Sequence, residues 1–164
     1  MVLVLSLSVL LGVTATALAL LQVGTLEPQI SRNLAEGARA RGLADAGMEV
    51  AYGRLGGDDA AAVSAILASA DPRSPWVILT EAAAPDGAGG GTYTVRVRND
   101  FESADRALTG LPAGAAAGET ADRDGNGVLI VQSTGAFKRA HVTIEAVLRT
   151  SAAGAWLFNR RELP

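Results

Sequence analysis

Cysteine is absent from this 164-residue chain, which removes disulfides, thiolate metal sites and cysteine nucleophiles together and leaves the redox compartment undetermined. Histidine occurs once, at His141, so any serine–histidine–aspartate arrangement has a single base to draw on. Aromatic residues are 4% of a sequence that is 49% hydrophobic and holds 19 glycines. The apolar content is therefore aliphatic and mostly small. Lysine and arginine total 14, all but Lys138 being arginine, and they alternate with 17 acidic residues for a net charge of −3. No basic stripe results, and nucleic-acid binding is not expected. A chain of this length holds about one domain, and a smaller core if part of it enters a membrane.

Charge is missing altogether from Met1 to Val23, where Gln22 is the strongly polar exception among Leu, Val, Ala, Ser, Thr and Gly. As a helix rising 1.5 Å per residue this block reaches roughly 35 Å, enough to cross the hydrocarbon core of a bilayer. A cleaved signal peptide is the alternative: Ala17-Leu18-Ala19 has the small-residue form of a cleavage site, although no Lys or Arg precedes the apolar core.

Beyond Glu27-Pro28 the pattern continues as helix to about Leu55, with Pro28 expected to kink or reset it because proline lacks an N–H and crowds the preceding turn. Ile30, Leu34, Ala38, Ala44, Met48, Ala51 and Leu55 fall near one face, and Arg32, Glu36, Arg39, Asp45, Glu49 and Arg54 lie opposite. This describes an amphipathic helix. Gly37, Gly42, Gly47 and Gly53 sit inside it at a cost of roughly 1 kcal/mol each relative to alanine; either close packing offsets that cost or the glycines simply loosen the helix.

An uncharged N-terminal block, then Ser31-Arg32-Asn33-Leu34, then Ala40-Arg41-Gly42-Leu43-Ala44-Asp45-Ala46-Gly47-Met48-Glu49 resembles PilX-type minor pilins of the type IV pilin family and, more distantly, the K-type minor pseudopilins of type II secretion. The resemblance covers about the first third of the chain. Val128 to Arg149 adds to it, looking like the family's closing hairpin with Ser133-Thr134-Gly135 as the turn. It implies that a prepilin peptidase removes a short basic leader, that Met1 is the mature and methylatable N-terminus, and that other pilin subunits are the partners. Where most pilins carry a glutamate that pairs with a neighbouring subunit's amine, this chain has Leu5. An unpaired carboxylate in lipid is costly, so Leu5 suits a tip or initiating position; equally, some lineages lack the glutamate. Assembly is thus expected to involve Met1, Leu5 and Pro28.

After Gly56-Gly57 the expectation is a globular part, residues 56–164, following the helix of residues 1–55. Asp58 or Asp59 can cap a short helix reaching Ala70, which Asp71-Pro72 stops. The period then changes to two: Trp76 to Thr80 reads as a strand, and Thr92 to Arg98 alternates with Tyr93, Val95 and Val97 on one face. Pro85 to Gly91 is a glycine-rich connection and Asp100 to Ala121 is loop-like. Val128–Gln132 and His141–Leu148 read as a hairpin across Ser133 to Arg139, and Ala155 to Phe158 as an edge strand. The predicted fold class is α+β, pilin-like: a long helix, transmembrane then amphipathic, packed on a small antiparallel sheet.

Asp122-Arg123-Asp124-Gly125-Asn126-Gly127 matches the first half of a calcium loop, which needs oxygens at alternate positions and a glycine at the sharp turn. Asp122, Asp124 and Asn126 are the candidate Ca²⁺ ligands, with Glu119 or Asp100 available to complete a site. The position expected to hold a bidentate glutamate is Ser133, and the same residues make an ordinary turn into the next strand. His141, Thr143 and Glu145 share a strand face that reads as solvated. Asp58-Asp59 stands at a helix start, where capping explains it, and Gly89-Gly90-Gly91 lacks the spacing and following helix of a nucleotide fingerprint. No catalytic constellation and no required cofactor emerge. The expected function is a structural pilus subunit, held in the inner membrane by a single pass and then moved into an extracellular filament; a signal-anchored periplasmic or secreted binding module is the alternative.

Overall fold

The computed structural model describes residues 1–56, 60–84, 90–110, 120–151 and 154–164. Asp58, Asp59, Glu119 and most of the two glycine- and alanine-rich connections lie outside them. The chain divides into two compact units, Met1–Glu36 and Gly37–Pro164, and one helix, α1 (Val2–Leu55), contributes to both.

In the first unit every described side chain from Met1 to Ala35 is exposed, and none of the apolar window long enough to cross a membrane is buried. The hydroxyls in this stretch bond back to the helix itself: Ser6 donates to the Leu3 carbonyl at 3.0 Å, Ser8 to Val4 at 2.9 Å, Thr14 to Leu10 and Thr16 to Gly12. Such back-bonding satisfies these four hydroxyl donors where water is absent. Pro28 does not reset the helix, as the sequence suggested; α1 runs through it. One interior proline costs about 3 kcal/mol, and the residue four back, whose carbonyl the ring crowds, is Gly24, with open space around it.

The second unit is a five-stranded antiparallel meander in the order β1-β2-β3-β4-β5. Its strands are β1 (Val77–Ala83), β2 (Thr92–Asn99), β3 (Val128–Phe137), β4 (Ala140–Ser151) and β5 (Gly154–Leu163). The C-terminal part of α1 lies on one face and buries Ala40, Ala44, Gly47, Met48, Ala51 and Leu55, steps of three and four that make one helical stripe. Opposite them stand Val95 and Val97 of β2, Leu129 and Val131 of β3, and Ile144, Ala146 and Leu148 of β4. Tyr93 packs at the margin, so the expected Tyr93, Val95, Val97 face is the one that meets the core. A short helix, α2 (Ala60–Leu67), adds Val63 and Leu67. Met48 and Leu55, fully buried, each contribute about 1.5–3 kcal/mol by removal from water.

The amphipathic reading needs correcting at its N-terminal end. Ile30, Leu34 and Ala38 are exposed, the first two at 57% and 70%. The stripe begins at Ala40 because that is where the sheet first lies against the helix. The helix α2 also stops at Leu67, short of Ala70, and the turn at Asp71-Pro72 closes with the Ser74 N–H on the Asp71 carbonyl at 2.9 Å.

A larger correction concerns Ser133-Thr134-Gly135, which is not a turn. These residues lie in the middle of β3, paired with Ile144, Thr143 and Val142. The hairpin turns at Lys138-Arg139, with Lys138 at φ 53°. Gly135 is in the strand because α1 passes over it: a Cβ there would stand 2.5 Å from the Ala44 nitrogen and closer still to the Ala40 carbonyl oxygen. Glycine in a strand interior commonly marks such a close approach. Of the four helix glycines raised by the sequence, only Gly47 is closely packed, against Ser133, Tyr93 and Val95; Gly37, Gly42 and Gly53 face open space.

The Ser133 hydroxyl beneath Gly47 is buried and has no hydrogen-bond partner among the described residues. An unmade bond of this kind costs about 1–3 kcal/mol, so Ser133→Ala is expected to hold or raise the urea midpoint. Gly47→Ala is expected to lower it, and to lower it less in the Ser133→Ala background, where the nearest obstacle has gone.

The opposite sheet face is covered at one end by the β2–β3 connection. Read as loop-like from sequence, it forms a 3-10 turn (Ser103–Asp105) leading into α3 (Arg106–Thr109). Beneath the connection side, Val128, Ile130 and Val147 are fully buried, a second small core behind the sheet.

Candidate functional site

Met1 and Leu5 begin α1, the Leu5 N–H donating to the Met1 carbonyl at 3.2 Å. Both side chains are exposed, at 111% and 71%. Pro28 lies further along the same exposed helix. These three residues share a helix; Met1 and Leu5 line a surface cavity together with Val4, Ser8 and Val9, and Pro28 is not part of it. What they offer chemically is an uncharged apolar surface whose backbone is internally bonded, long and apolar enough to serve as a membrane anchor or a signal sequence.

The loop before β3 holds the candidate ion ligands in a network of turns. Asp124 Oδ1 accepts the N–H of Asn126 at 3.0 Å and of Gly127 at 2.8 Å. Asn126 Oδ1 accepts the N–H of Val128 at 2.7 Å, while its Nδ2 donates to both oxygens of Asp100, at 3.1 and 3.3 Å. Gly127, at φ 73°, completes the turn. Asp124 and Asn126 are thus brought together with Asp100, which the sequence had nominated. Asp122 is directed elsewhere, its Oδ1 accepting the Thr120 hydroxyl at 2.7 Å. Among the described residues no three His, Cys, Asp or Glu side chains stand close enough to share a metal ion.

Asp122 has its carboxyl held below the usual 3.8, chiefly by the Thr120 hydroxyl and then by its own backbone N–H, against an opposing effect of burial, with the Arg123 charge adding least. A depressed carboxyl contributes stability above the unfolded value and loses it as pH falls through the folded one. Thr120→Val is therefore expected to raise the Asp122 midpoint in a carboxyl-carbon NMR titration and to remove that acid-range contribution.

On β4, His141 is exposed opposite Ala136, as a solvated face requires. Glu145 departs from that reading: it is 4% exposed, and its carboxylate accepts Arg161 Nε at 2.9 Å and NH2 at 2.6 Å on one oxygen and Gln132 Nε2 at 2.8 Å on the other. A buried carboxylate is normally paired and hydrogen-bonded, and neighbouring strands supply both partners here. The pairing is cross-strand, so no local spacing could have announced it.

The most enclosed ion pair was also silent in the sequence. Arg98 donates to Asp105 through NH1 at 2.8 Å and NH2 at 2.5 Å, with the two residues 8% and 1% exposed. The guanidinium lies 5.1 Å from the Trp76 ring centroid, and Asp105 Oδ2 also accepts the Glu102 N–H at 3.0 Å. Asn159 on β5 donates to the Leu108 carbonyl. The described part of the connection is thus fastened at Asp105 to β2 and at Leu108 to β5. These polar groups tie strands and connection together within the second unit. Comparison of the chain with protein-family models, with curated proteins and with solved structures finds no match.

Proposed function

We propose that this chain is a structural subunit of a type IV pilus or a related filament, anchored in the inner membrane before assembly and carried to the cell surface in the filament. The observation that supports it is the continuity of α1: an uncharged exposed segment of membrane-spanning length leads, within one helix, to the stripe that buries itself in an α+β head. In this reading the helix exchanges lipid for other subunits' helices, and the backbone bonds of the helix interior survive the exchange because they lie within the helix. Leu5 places no carboxylate in lipid, which favours a position with no subunit ahead of it. A prepilin peptidase is the processing partner, and no catalysis or required cofactor belongs to the role. Calcium, if bound at Asp124 and Asn126, stiffens the head; a melting temperature that rises with added Ca²⁺ and falls with chelator would establish it.

The test is intact-mass and N-terminal peptide analysis of protein from membranes and sheared filaments. The expected result is a chain from which a short leader has been cut ahead of the apolar helix, with an N-methylated first residue. Cleavage after Ala19 would instead make the protein a secreted binding module and end the filament reading. Leu11→Arg, which puts a charge costing about 3 kcal/mol mid-span, is expected to shift the chain from the carbonate-resistant membrane fraction and from filaments alike.

A further inference from the structure

The sheet has two edge strands, and they are finished in different ways. Strand β5 carries Asn159, Arg160, Arg161 and Glu162 along its second half. Arg160 pairs with Asp45 of α1, Glu162 with Arg41 at 3.2 Å, and the Tyr52 hydroxyl donates to the Ala155 carbonyl at 3.1 Å. Its register against β4 slips between Glu145 and Val147. Charges, a bulge and a covering helix are the devices by which edge strands are protected from unwanted pairing.

Strand β1 shares the bulge, its register against β2 slipping between Ile78 and Thr80, and has little else of this. Its seven residues, Val-Ile-Leu-Thr-Glu-Ala-Ala from Val77 to Ala83, include one charge, Glu81, and none of them is buried. Ile78 is 57% exposed. Among the described residues one side chain reaches its outer edge: Arg54, at the end of α1, donates NH1 to the Leu79 carbonyl at 2.7 Å. Alongside lies a cleft of about 530 Å³ lined by Arg54, Ile66, Val77, Ile78 and Leu79.

We propose that the outer edge of β1 docks an extended strand of a partner protein, which pairs through its backbone, seats apolar side chains in the cleft and sets an acidic side chain against Arg54. The unpaired edge specifies an extended backbone, since that alone matches a ladder of strand N–H and C=O groups. The aliphatic residues in the lining, Ile66, Val77, Ile78 and Leu79, specify the side chains that turn inward. Arg54 specifies the acid: an incoming N–H takes over the Leu79 carbonyl, and the released guanidinium pairs with a carboxylate in the bidentate manner suited to it. Occupation of the edge by a second copy is an outcome that the test below separates from docking of a partner strand. Docking at β1 does not require the chain to polymerise.

The probe is a fluorescein-labelled hexapeptide of alternating threonine and valine with one glutamate, titrated into the full chain in detergent micelles. Binding is followed by anisotropy and located by amide hydrogen exchange. Saturable binding with new protection across residues 77–83 is expected. Methylation of alternate peptide nitrogens and the Arg54→Glu substitution are each expected to weaken it about tenfold or more, as lost ladder bonds and a lost charge pair require. A lysine in place of the peptide glutamate should recover binding to Arg54→Glu, which separates charge recognition from damage to the fold. Absence of binding to millimolar peptide, equal binding of the methylated peptide, or protection on β5 overturns the proposal. Self-association through β1 that excludes the peptide would give the edge to a second copy and overturn it as well.

Discussion

Gly135→Ala is expected to destabilise the head unit by about 3 kcal/mol or more. The new carbon would stand 2.5 Å from the Ala44 nitrogen and 3.0 Å from Leu43 Cβ, with the Ala40 carbonyl oxygen nearer still. The nearest obstacles are helix backbone, which cannot swing aside as a flexible side chain can. Relief requires lifting α1 from β3, and that opens the contact over Ala40, Ala44 and Met48, all of which are buried. The same substitution at Gly42, where nothing lies within 4 Å, is expected to act in the opposite direction and stabilise the helix by roughly 1 kcal/mol. Urea unfolding of the two variants side by side checks both signs. A Gly135→Ala protein as stable as the parent would mean that helix and strand do not approach as closely as described.

Asp105→Ala is expected to cost about 3–5 kcal/mol, because it leaves the guanidinium of Arg98 buried without its counter-charge. The substitution also removes the acceptor for the Glu102 N–H, so the turn that starts the β2–β3 connection loses its fastening. Removing both charges is expected to be far milder. Arg98→Met together with Asp105→Leu eliminates the uncompensated ion and leaves apolar surface beside Val128, Ile130 and Val147, and buried pairs replaced in this way are often neutral or better. A double-mutant cycle on the unfolding free energy measures the coupling directly. Near-UV circular dichroism supplies a local reading, since Trp76 stacks on Arg98 and should lose its fixed environment in Asp105→Ala. Additive single and double effects would show that the pair carries no coupling.

The parts of this fold that were legible in the sequence are those whose cause is local. An uncharged run of 23 residues can satisfy its backbone without water only as helix, and the change of period at Thr92–Arg98 marks a half-buried strand wherever it sits. The buried stripe of α1 was legible from Ala44 onward and misleading before it, because Ile30 and Leu34 continue the pattern although no sheet lies against them. Ser133-Thr134-Gly135 has the composition of a turn, and nothing nearby in the chain contradicts that. Its glycine answers to the backbone of a helix far away in sequence. Glu145 with Arg161, Arg98 with Asp105, and Asn126 with Asp100 are likewise pairs that exist only after strands and connections have been placed.

By itself, then, the sequence determined an apolar N-terminal helix, an α+β head and the positions of most strands, because hydrophobic period and missing charge act within a few residues. Tertiary structure alone decided where the helix stripe begins, which glycines are crowded by distant groups, how the acid-rich loop spends its oxygens and which strands form the sheet's edges. Each of these depends on what a residue meets across space, and contact distance is not a property of sequence spacing.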